Sequence, residues 1–331
     1  MNILVNLPPG FFVHPGLEPL WARLAARGTV RQTSHNTGSE IVDDLAWAEA
    51  VLMWSWPAWT DTLLDAAPNL RYAGHLDITQ RGAKAILPRG LPVSVSRHGF
   101  SPAVAEFALA LILNTLRKVS DFQAQMRTGT EPWVVKFPTE IDPQERELTG
   151  RSVGIVGFGR VGRRLGELLA PFHPQLYVAD PFASEDSLNA LGARRVLLPE
   201  LVAECEIIVL CAASNDGTRH LFGPAEFAAM RPDAVFVNVA RAALVDTDAL
   251  IARLREGNLF AALDVFDTEP LPSDSPLRDL PNAFLTPHRA GGTLASVNRI
   301  VSYLIDDLEA VINEEPRHHA LTEAMIPSLD A

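Results

Sequence analysis

One hexapeptide constrains this chain more than any other feature. Gly157-Phe158-Gly159-Arg160-Val161-Gly162 directly follows the apolar run Val153-Gly154-Ile155-Val156 and opens an amphipathic, helix-length stretch. The pattern G-x-G-x-x-G is weak by itself, but between a strand and a helix it describes the turn of a dinucleotide-binding βαβ unit. Each glycine has its own reason: Gly157 permits the tight turn, Gly159 lets the backbone approach a pyrophosphate, and Gly162 lets the helix lie close on the sheet. The helix N-terminus, with Arg160 and Val161 in its first turn, turns unpaired N–H groups and a positive dipole end toward phosphate. Asp180 ends the next strand, eighteen residues after Gly162. A carboxylate there accepts both ribose hydroxyls of an adenosine and repels a 2′-phosphate. Pro181-Phe182 follows with no arginine nearby in sequence, so the expected cofactor is NAD, with NADP less favoured.

Around this unit short apolar runs alternate with amphipathic helices, the pattern of an α/β chain with a mostly parallel sheet. Expected strands before the hexapeptide are 3–7, 50–55, 69–74 and 93–96. After it come 175–179, 207–211, 234–239, 260–265 and 283–286. Expected helices are 60–67, 103–117, 162–170, 197–203, 224–230, 247–256 and 294–313. Ser101-Pro102 is a good start signal for the second of these, and Gly257 a natural stop for the sixth. A polar, proline-bearing stretch, 128–149, separates the long helix from the hexapeptide strand. An irregular tail follows the last helix.

Length and composition bound the function classes. The 331 residues suit two domains. Lys+Arg 28 against Asp+Glu 40 leaves a net charge of -12, which argues against a nucleic-acid partner. At 47% hydrophobic and 21% charged, the chain has an ordinary globular composition. No apolar run approaches the ~20 residues that span a bilayer, and the N-terminus resembles neither signal peptide nor anchor, so no membrane is expected. Cys205 and Cys211 cannot form a disulfide framework and read as buried packing residues, which suits a cytoplasmic location. No metal-ligand spacing is present; His318-His319 reads as part of a solvated tail.

Three segments fall at the C-terminal ends of expected strands, where ligands bind in open α/β sheets. They are Asn238-Val239-Ala240-Arg241, Asp264-Val265-Phe266-Asp267-Thr268-Glu269-Pro270 and Thr286-Pro287-His288. Singly, an arginine is usually a surface residue, a glutamate solvated and a histidine structural. In this order behind a dinucleotide fingerprint they can converge beside one cofactor. Trp54, Trp56 and Trp59 cluster after the second expected strand, either as an aromatic wall over a substrate or as rigid loop packing.

These motifs together resemble the D-isomer-specific 2-hydroxyacid dehydrogenases over nearly the whole chain. Supporting segments are Leu76-Asp77-Ile78, Val104-Ala105-Glu106-Phe107, Leu244-Val245 and Glu269-Pro270-Leu271. The resemblance implies a Rossmann-type dinucleotide-binding domain, 101–290, inserted in a second, flavodoxin-like α/β substrate domain, 1–100 and 291–331. It implies a hinge at the two crossings, near Gly99–Pro102 and Gly291-Gly292, and a homodimer. It implies hydride transfer between NAD(H) and a 2-oxo or 2-hydroxy acid such as glyoxylate or hydroxypyruvate. In that reading His288 is the proton donor, a role histidine as a residue type suits because its reference pKa, ~6.5, lies near working pH. Glu269 orients it, and Arg241 pairs with the substrate carboxylate. Gly157, Gly159, Arg160, Val161, Gly162, Asp180, Ala212, Ala240 and Asp264 are candidate cofactor contacts, Asp264 through the nicotinamide carboxamide. Ser55, His75, Leu76 and Arg241 are candidate substrate contacts, with backbone N–H groups around His75-Leu76 taking the carboxylate. Departures from the family pattern are Ala212-Ala213-Ser214-Asn215, Ala242, Arg289 and His75, the last two adding polar bulk near the substrate. The lack of Arg or Lys across Trp54–Trp59 weakens a phosphorylated substrate. Alternatives are a phosphoglycerate dehydrogenase or a dinucleotide-sensing, corepressor-like binding protein.

Overall fold

A computed structural model describes residues 1–329. The chain divides into two compact units, Met1–Ser101 with the chain from Gly292 onward, and Pro102–Gly291.

The first unit carries five parallel strands, β1 (Asn2–Asn6), β2 (Thr29–Thr33), β3 (Ala50–Met53), β4 (Tyr72–His75) and β5 (Val93–Val95), in the order β2-β1-β3-β4-β5. This is the flavodoxin-like order. Period-2 alternation feeds two cores. Leu4, Val51, Ala73 and Val93 point to one face, against Ile41 and Leu45 of helix Gly38–Trp47. Ile3, Val5, Leu52 and Tyr72 point to the other, against Leu24 and the helix Leu294–Ile312. Sheets buried on both faces read as continuous apolar runs, which made β1 and β3 legible. Edge strand β2, Thr-Val-Arg-Gln-Thr, is mostly exposed and carries no such signal.

The tail expectation is corrected here. Asp307, fully buried on the last long helix, accepts the Ser94 hydroxyl at 2.6 Å and the His318 and His319 backbone N–H groups at 2.8 and 3.0 Å. A buried carboxylate demands such donors, and they draw the chain after the helix onto β5. Val95 N–H donates to His319 O and Leu321 N–H to Val93 O, both at 2.9 Å. His319 stacks on Tyr303, centroids 4.1 Å apart, and its Nδ1 lies 2.9 Å from Nε2 of His98. His318-His319 is therefore a docked segment, and Leu321 and Leu329 beyond it are buried in the core.

The second unit has seven parallel strands: β6 (Ser152–Val156), β7 (Gln175–Ala179), β8 (Arg194–Arg195), β9 (Ile207–Leu210), β10 (Ala234–Asn238), β11 (Leu259–Leu263) and β12 (Ala283–Leu285). Their order is β12-β11-β10-β9-β6-β7-β8, so the direction of strand addition reverses between β6 and β9. Several strands stop one or two residues short of the apolar runs that announced them, because the chain turns outward to build the loops described next. The helix Ser101–Arg117 buries Ala105, Ala108, Leu111, Ile112 and Leu116 in this unit's core. Taken from Arg97 to Arg117 it is long and apolar enough to cross a membrane by length and composition, contrary to the sequence expectation.

Candidate active site

The glycine loop leaves β6 at the point where the strand order reverses. Gly157 has φ +90°, and a Cβ built there would lie 2.4 Å from the Cα of Ala212, in the loop after β9. Two loops thus touch through backbone, which places Ala212 beside the fingerprint. A Cβ on Gly162 would lie 2.3 Å from Gly157 O, so the helix Arg160–Leu169 sits directly on the turn. Around Gly159 a Cβ would meet no protein atom within 4 Å. Two of the three glycines are thus required by the protein itself, and the third borders open space that a side chain would fill. Such a cradle at a helix N-terminus fits a pyrophosphate.

Asp180 closes the loop. Its Oδ2 accepts the Phe158 N–H at 2.6 Å and its Oδ1 the Phe182 N–H at 2.7 Å. The absence of an arginine in the following sequence does not carry into space. Strand β8 pairs with β7 and sets Arg195 against this turn, donating to the carbonyls of Asp180 at 3.4 Å, Pro181 at 3.2 Å and Ala183, and to the Glu185 carboxylate at 2.9 Å. The discrimination between NAD and NADP argued from sequence therefore rests on the Asp180 carboxylate alone.

Strands β10, β11 and β12 end side by side and carry the other candidates. Asn238, 2% exposed, shapes the first turn: its Oδ1 accepts the Ala240 N–H at 3.0 Å and its Nδ2 donates to Arg241 O at 3.1 Å. The Arg241 guanidinium in turn donates to Ala240 O at 2.8 Å. Glu269 accepts the Phe266 N–H at 2.9 Å with Oε1 and meets His288 Nδ1 at 2.6 Å with Oε2. Burial pushes the Glu269 carboxyl up. The hydrogen bonds from His288 and Phe266 and the charges of His288 and Arg241 outweigh this and hold it below its ordinary range. A carboxylate only accepts, so Nδ1 carries a proton and the ring is aimed through Nε2.

Asp264 holds the neighbouring loop in place. It is 1% exposed, and its carboxylate accepts the Thr286 hydroxyl at 2.7 Å and the N–H groups of Arg289 and Ala290, each at 2.8 Å. Its contacts go to the loop that carries His288. His288 holds φ +50°, a left-handed conformation rare for a side-chain-bearing residue, and its N–H donates to Thr286 O at 3.0 Å. Asp264 is the anchor of that turn. Asn238 and Thr286 were not singled out from the sequence. Their signals were an Asx residue two before Ala240 and a hydroxyl two before His288.

In the first unit, the His75 expectation is also corrected. His75 ends β4 and is 1% exposed, its ring turned inward: Nε2 accepts the Trp59 indole N–H at 2.8 Å and Nδ1 donates to Trp54 O at 2.9 Å. It adds no exposed polar bulk. Leu76 is buried too, and its N–H is already donated to Met53 O at 2.9 Å, so it is not presented to a carboxylate. Ser55 is half-buried in the loop after β3. Burial pushes both cysteine thiols up to about 12, as for packing residues, and no metal-binding group of His, Cys, Asp or Glu occurs among the described residues.

The chain is similar to known proteins over most of its length. The family model described as "D-isomer specific 2-hydroxyacid dehydrogenase, NAD binding domain" matches residues 109–290. A glyoxylate/hydroxypyruvate reductase B of Citrobacter koseri is 32% identical over 319 residues, covering 91% of this chain and 94% of that protein. A glyoxylate reductase of Aeropyrum pernix is 34% identical over 254 residues, 75% of each chain. Among solved structures, a 2-hydroxyacid dehydrogenase from Ketogulonicigenium vulgare Y25 superposes with TM-score 0.78 at 27% identity, covering 97% of this chain and 98% of that one. The apo D-mandelate dehydrogenase of Rhodotorula graminis shares the fold, with TM-score 0.83 at 24% identity over 97% of both chains.

Proposed function

The chain belongs to the D-isomer-specific 2-hydroxyacid dehydrogenase family, an NAD-dependent oxidoreductase of 2-hydroxy acids, and from that premise we propose that it reduces 2-oxo acids, glyoxylate and hydroxypyruvate among them, with His288 as acid/base. The observation that carries the reading is the 2.6 Å contact between His288 Nδ1 and Glu269, in the unit that holds the glycine loop and with the Arg241 charge acting on the same carboxylate.

When bound, NAD(H) supplies or takes the hydride; the protein supplies placement and charge. Gly157, Gly159, Arg160, Val161 and Gly162 would hold the pyrophosphate, Asp180 the adenosine ribose, and the turns at Ala212 and Ala240 line the same strand ends. Arg241, planar and always charged, pairs with the substrate carboxylate and polarises the neighbouring carbonyl. His288 donates a proton from Nε2 to the carbonyl oxygen as negative charge grows there, and takes it back in the oxidative direction. Glu269 keeps the Nδ1–H tautomer and balances the imidazolium. Asp264 and Thr286 keep the His288 turn in its left-handed geometry, so the ring needs no reorganisation during the reaction.

The test is NADH and NADPH oxidation, followed by absorbance, against a panel of 2-oxo acids. Turnover that vanishes in His288→Asn supports the reading; no turnover with any panel member overturns it. The proposal includes a homodimer. The segment 126–141 leaves Met126, Trp133, Val134, Val135 and Phe137 more than half exposed, with Trp133 at 70% and Val135 at 80%. A second copy would cover these side chains. Sedimentation velocity checks this: a monomer at micromolar concentration refutes it. Both cysteines are free, which supports a reducing, cytoplasmic location.

A further inference from the structure

The turn after β7, Asp180-Pro181-Phe182-Ala183, is weakly closed by its own backbone. Its closing bond, Ala183 N–H to Asp180 O, is stretched to 3.5 Å. Pro181 has no N–H to give, and Phe182, 90% exposed, contributes little packing.

Arg195 supplies what the turn lacks. Strand β8 pairs with β7 in parallel, Tyr177 opposite Arg194 and Val178 opposite Arg195. Side chains alternate along a strand. Arg194 leans over the Tyr177 ring at 5.7 Å and pairs with Glu200 at 2.5 Å, while Arg195 goes to the turn. Its Nη1 donates to the carbonyls of Asp180, at a long 3.4 Å, and Pro181, at 3.2 Å. Its Nη2 donates to the carbonyl of Ala183 and, at 2.9 Å, to the carboxylate of Glu185, which opens the helix Glu185–Asn189. One planar fork thus ties three carbonyls of a four-residue turn to the helix that follows, an arrangement a lysine could not reproduce.

What this strap steadies is a carboxylate. Asp180 Oδ1 accepts the Phe182 N–H from within the strapped turn, and Oδ2 accepts the Phe158 N–H from the glycine loop. Each oxygen keeps capacity for a further donor. The Phe182 N–H steers Oδ1 only while the turn keeps its shape, and a group held in place before binding loses less entropy on binding. We propose that Arg195 is a positioning residue for NAD(H): by strapping the Asp180–Ala183 turn it preorganises the Asp180 carboxylate, and it acts on cofactor affinity through that carboxylate rather than by its own charge. The inference rests on the assignment of Asp180 to the adenosine ribose made above.

The experiment titrates the full-length protein with NADH, followed by NADH fluorescence, in the wild type, Arg195→Ala, Arg195→Lys, Asp180→Ala and the Arg195→Ala/Asp180→Ala double variant, with melting temperatures alongside. Arg195→Ala should raise the Kd about tenfold, an ordinary coupling for residues in one hydrogen-bond network, with little change in melting temperature. Arg195→Lys, which keeps the charge, should recover little of the loss. In the Asp180→Ala background, Arg195→Ala should have no further effect. With a 2-oxo acid that is turned over, the KM for NADH rises in Arg195→Ala while kcat holds. An unchanged Kd in Arg195→Ala overturns the proposal, as does full recovery in Arg195→Lys or additive losses in the double variant; each leaves the Asp180 assignment standing. An unchanged Kd in Asp180→Ala instead overturns that assignment, and the role of Arg195 with it. Should a variant fail to fold, Arg195→Gln or Asp180→Ser takes its place under the same criteria.

Discussion

Protonating His75 should loosen the first unit, and the size of the effect follows from its surroundings. An indole N–H can only donate and a carbonyl can only accept, so Trp59 and Trp54 together require a neutral ring with its proton on Nδ1. A second proton must displace the Trp59 bond inside a fully buried site. Burial pushes the imidazole from 6.5 down to about 4, opposed by its bond to the Trp54 carbonyl. Between those values the unfolded chain binds a proton that the folded chain does not. The contribution is therefore fully present above about pH 6.5 and is lost as pH falls toward about 4. A displacement of roughly 2.5 units corresponds to about 3 kcal/mol of stability. The assay is urea unfolding of the whole chain by tryptophan fluorescence at a series of pH values. Trp21, Trp47, Trp54, Trp56 and Trp59 lie in the first unit and only Trp133 in the second, so the signal reports mainly on the first. His75→Gln keeps an acceptor for Trp59 but does not titrate. It should be less stable than the wild type by about 1 kcal/mol at pH 7, for one lost hydrogen bond, and should close that gap and overtake the wild type as pH falls. Subtracting the two curves removes the carboxylates common to both. A difference that stays constant from pH 7 to pH 4 would refute the burial argument.

The remaining predictions concern the second unit. Arg241→Ala or His288→Asn should lower kcat/KM by about 10²–10³-fold, the usual cost of removing a transition-state charge partner, while NADH binding by fluorescence titration persists. Near-native activity in either would refute the assigned roles. Asp264→Asn replaces one of the two accepting oxygens by an NH₂ group, set against the N–H of either Arg289 or Ala290, and should cost about 1–3 kcal/mol in melting experiments and depress kcat more than KM; Thr286→Val should show a weaker form of the same pattern. Gly157→Ala and Gly159→Ala should separate cleanly. The first drives a methyl into the Ala212 backbone at positive φ and should destabilise the fold, whereas the second meets no protein atom and should leave the melting temperature unchanged while weakening NADH binding by about tenfold or more.

Much of the site was legible because its signals are local. Gly157, Gly159 and Gly162 with Asp180 form one βαβ turn, and strand, glycine pattern and acidic residue all lie within thirty positions of one another. Arg241, Glu269 and His288 were legible as candidates because each stands just past a buried strand, and parallel strands bring their ends together. The polar pairings were not legible, since hydrogen bonds across elements leave no periodicity. Asp264, a candidate cofactor contact, also anchors the His288 turn, and Arg195, fifteen residues on in sequence, lies against the Asp180 turn.

The amino-acid order by itself determined the doubly wound architecture, since alternating apolar runs and amphipathic helices admit few other ways of burying both faces of a sheet. It also marked the tight turn after β6, because the φ of +90° at Gly157 favours glycine. The tertiary structure alone decided which polar groups are spent on the protein and which face outward. His75, Asp264 and Asp307 are each buried and satisfied by donors or acceptors from distant segments. A buried polar side chain must find such partners, and sequence spacing does not reveal which ones it finds.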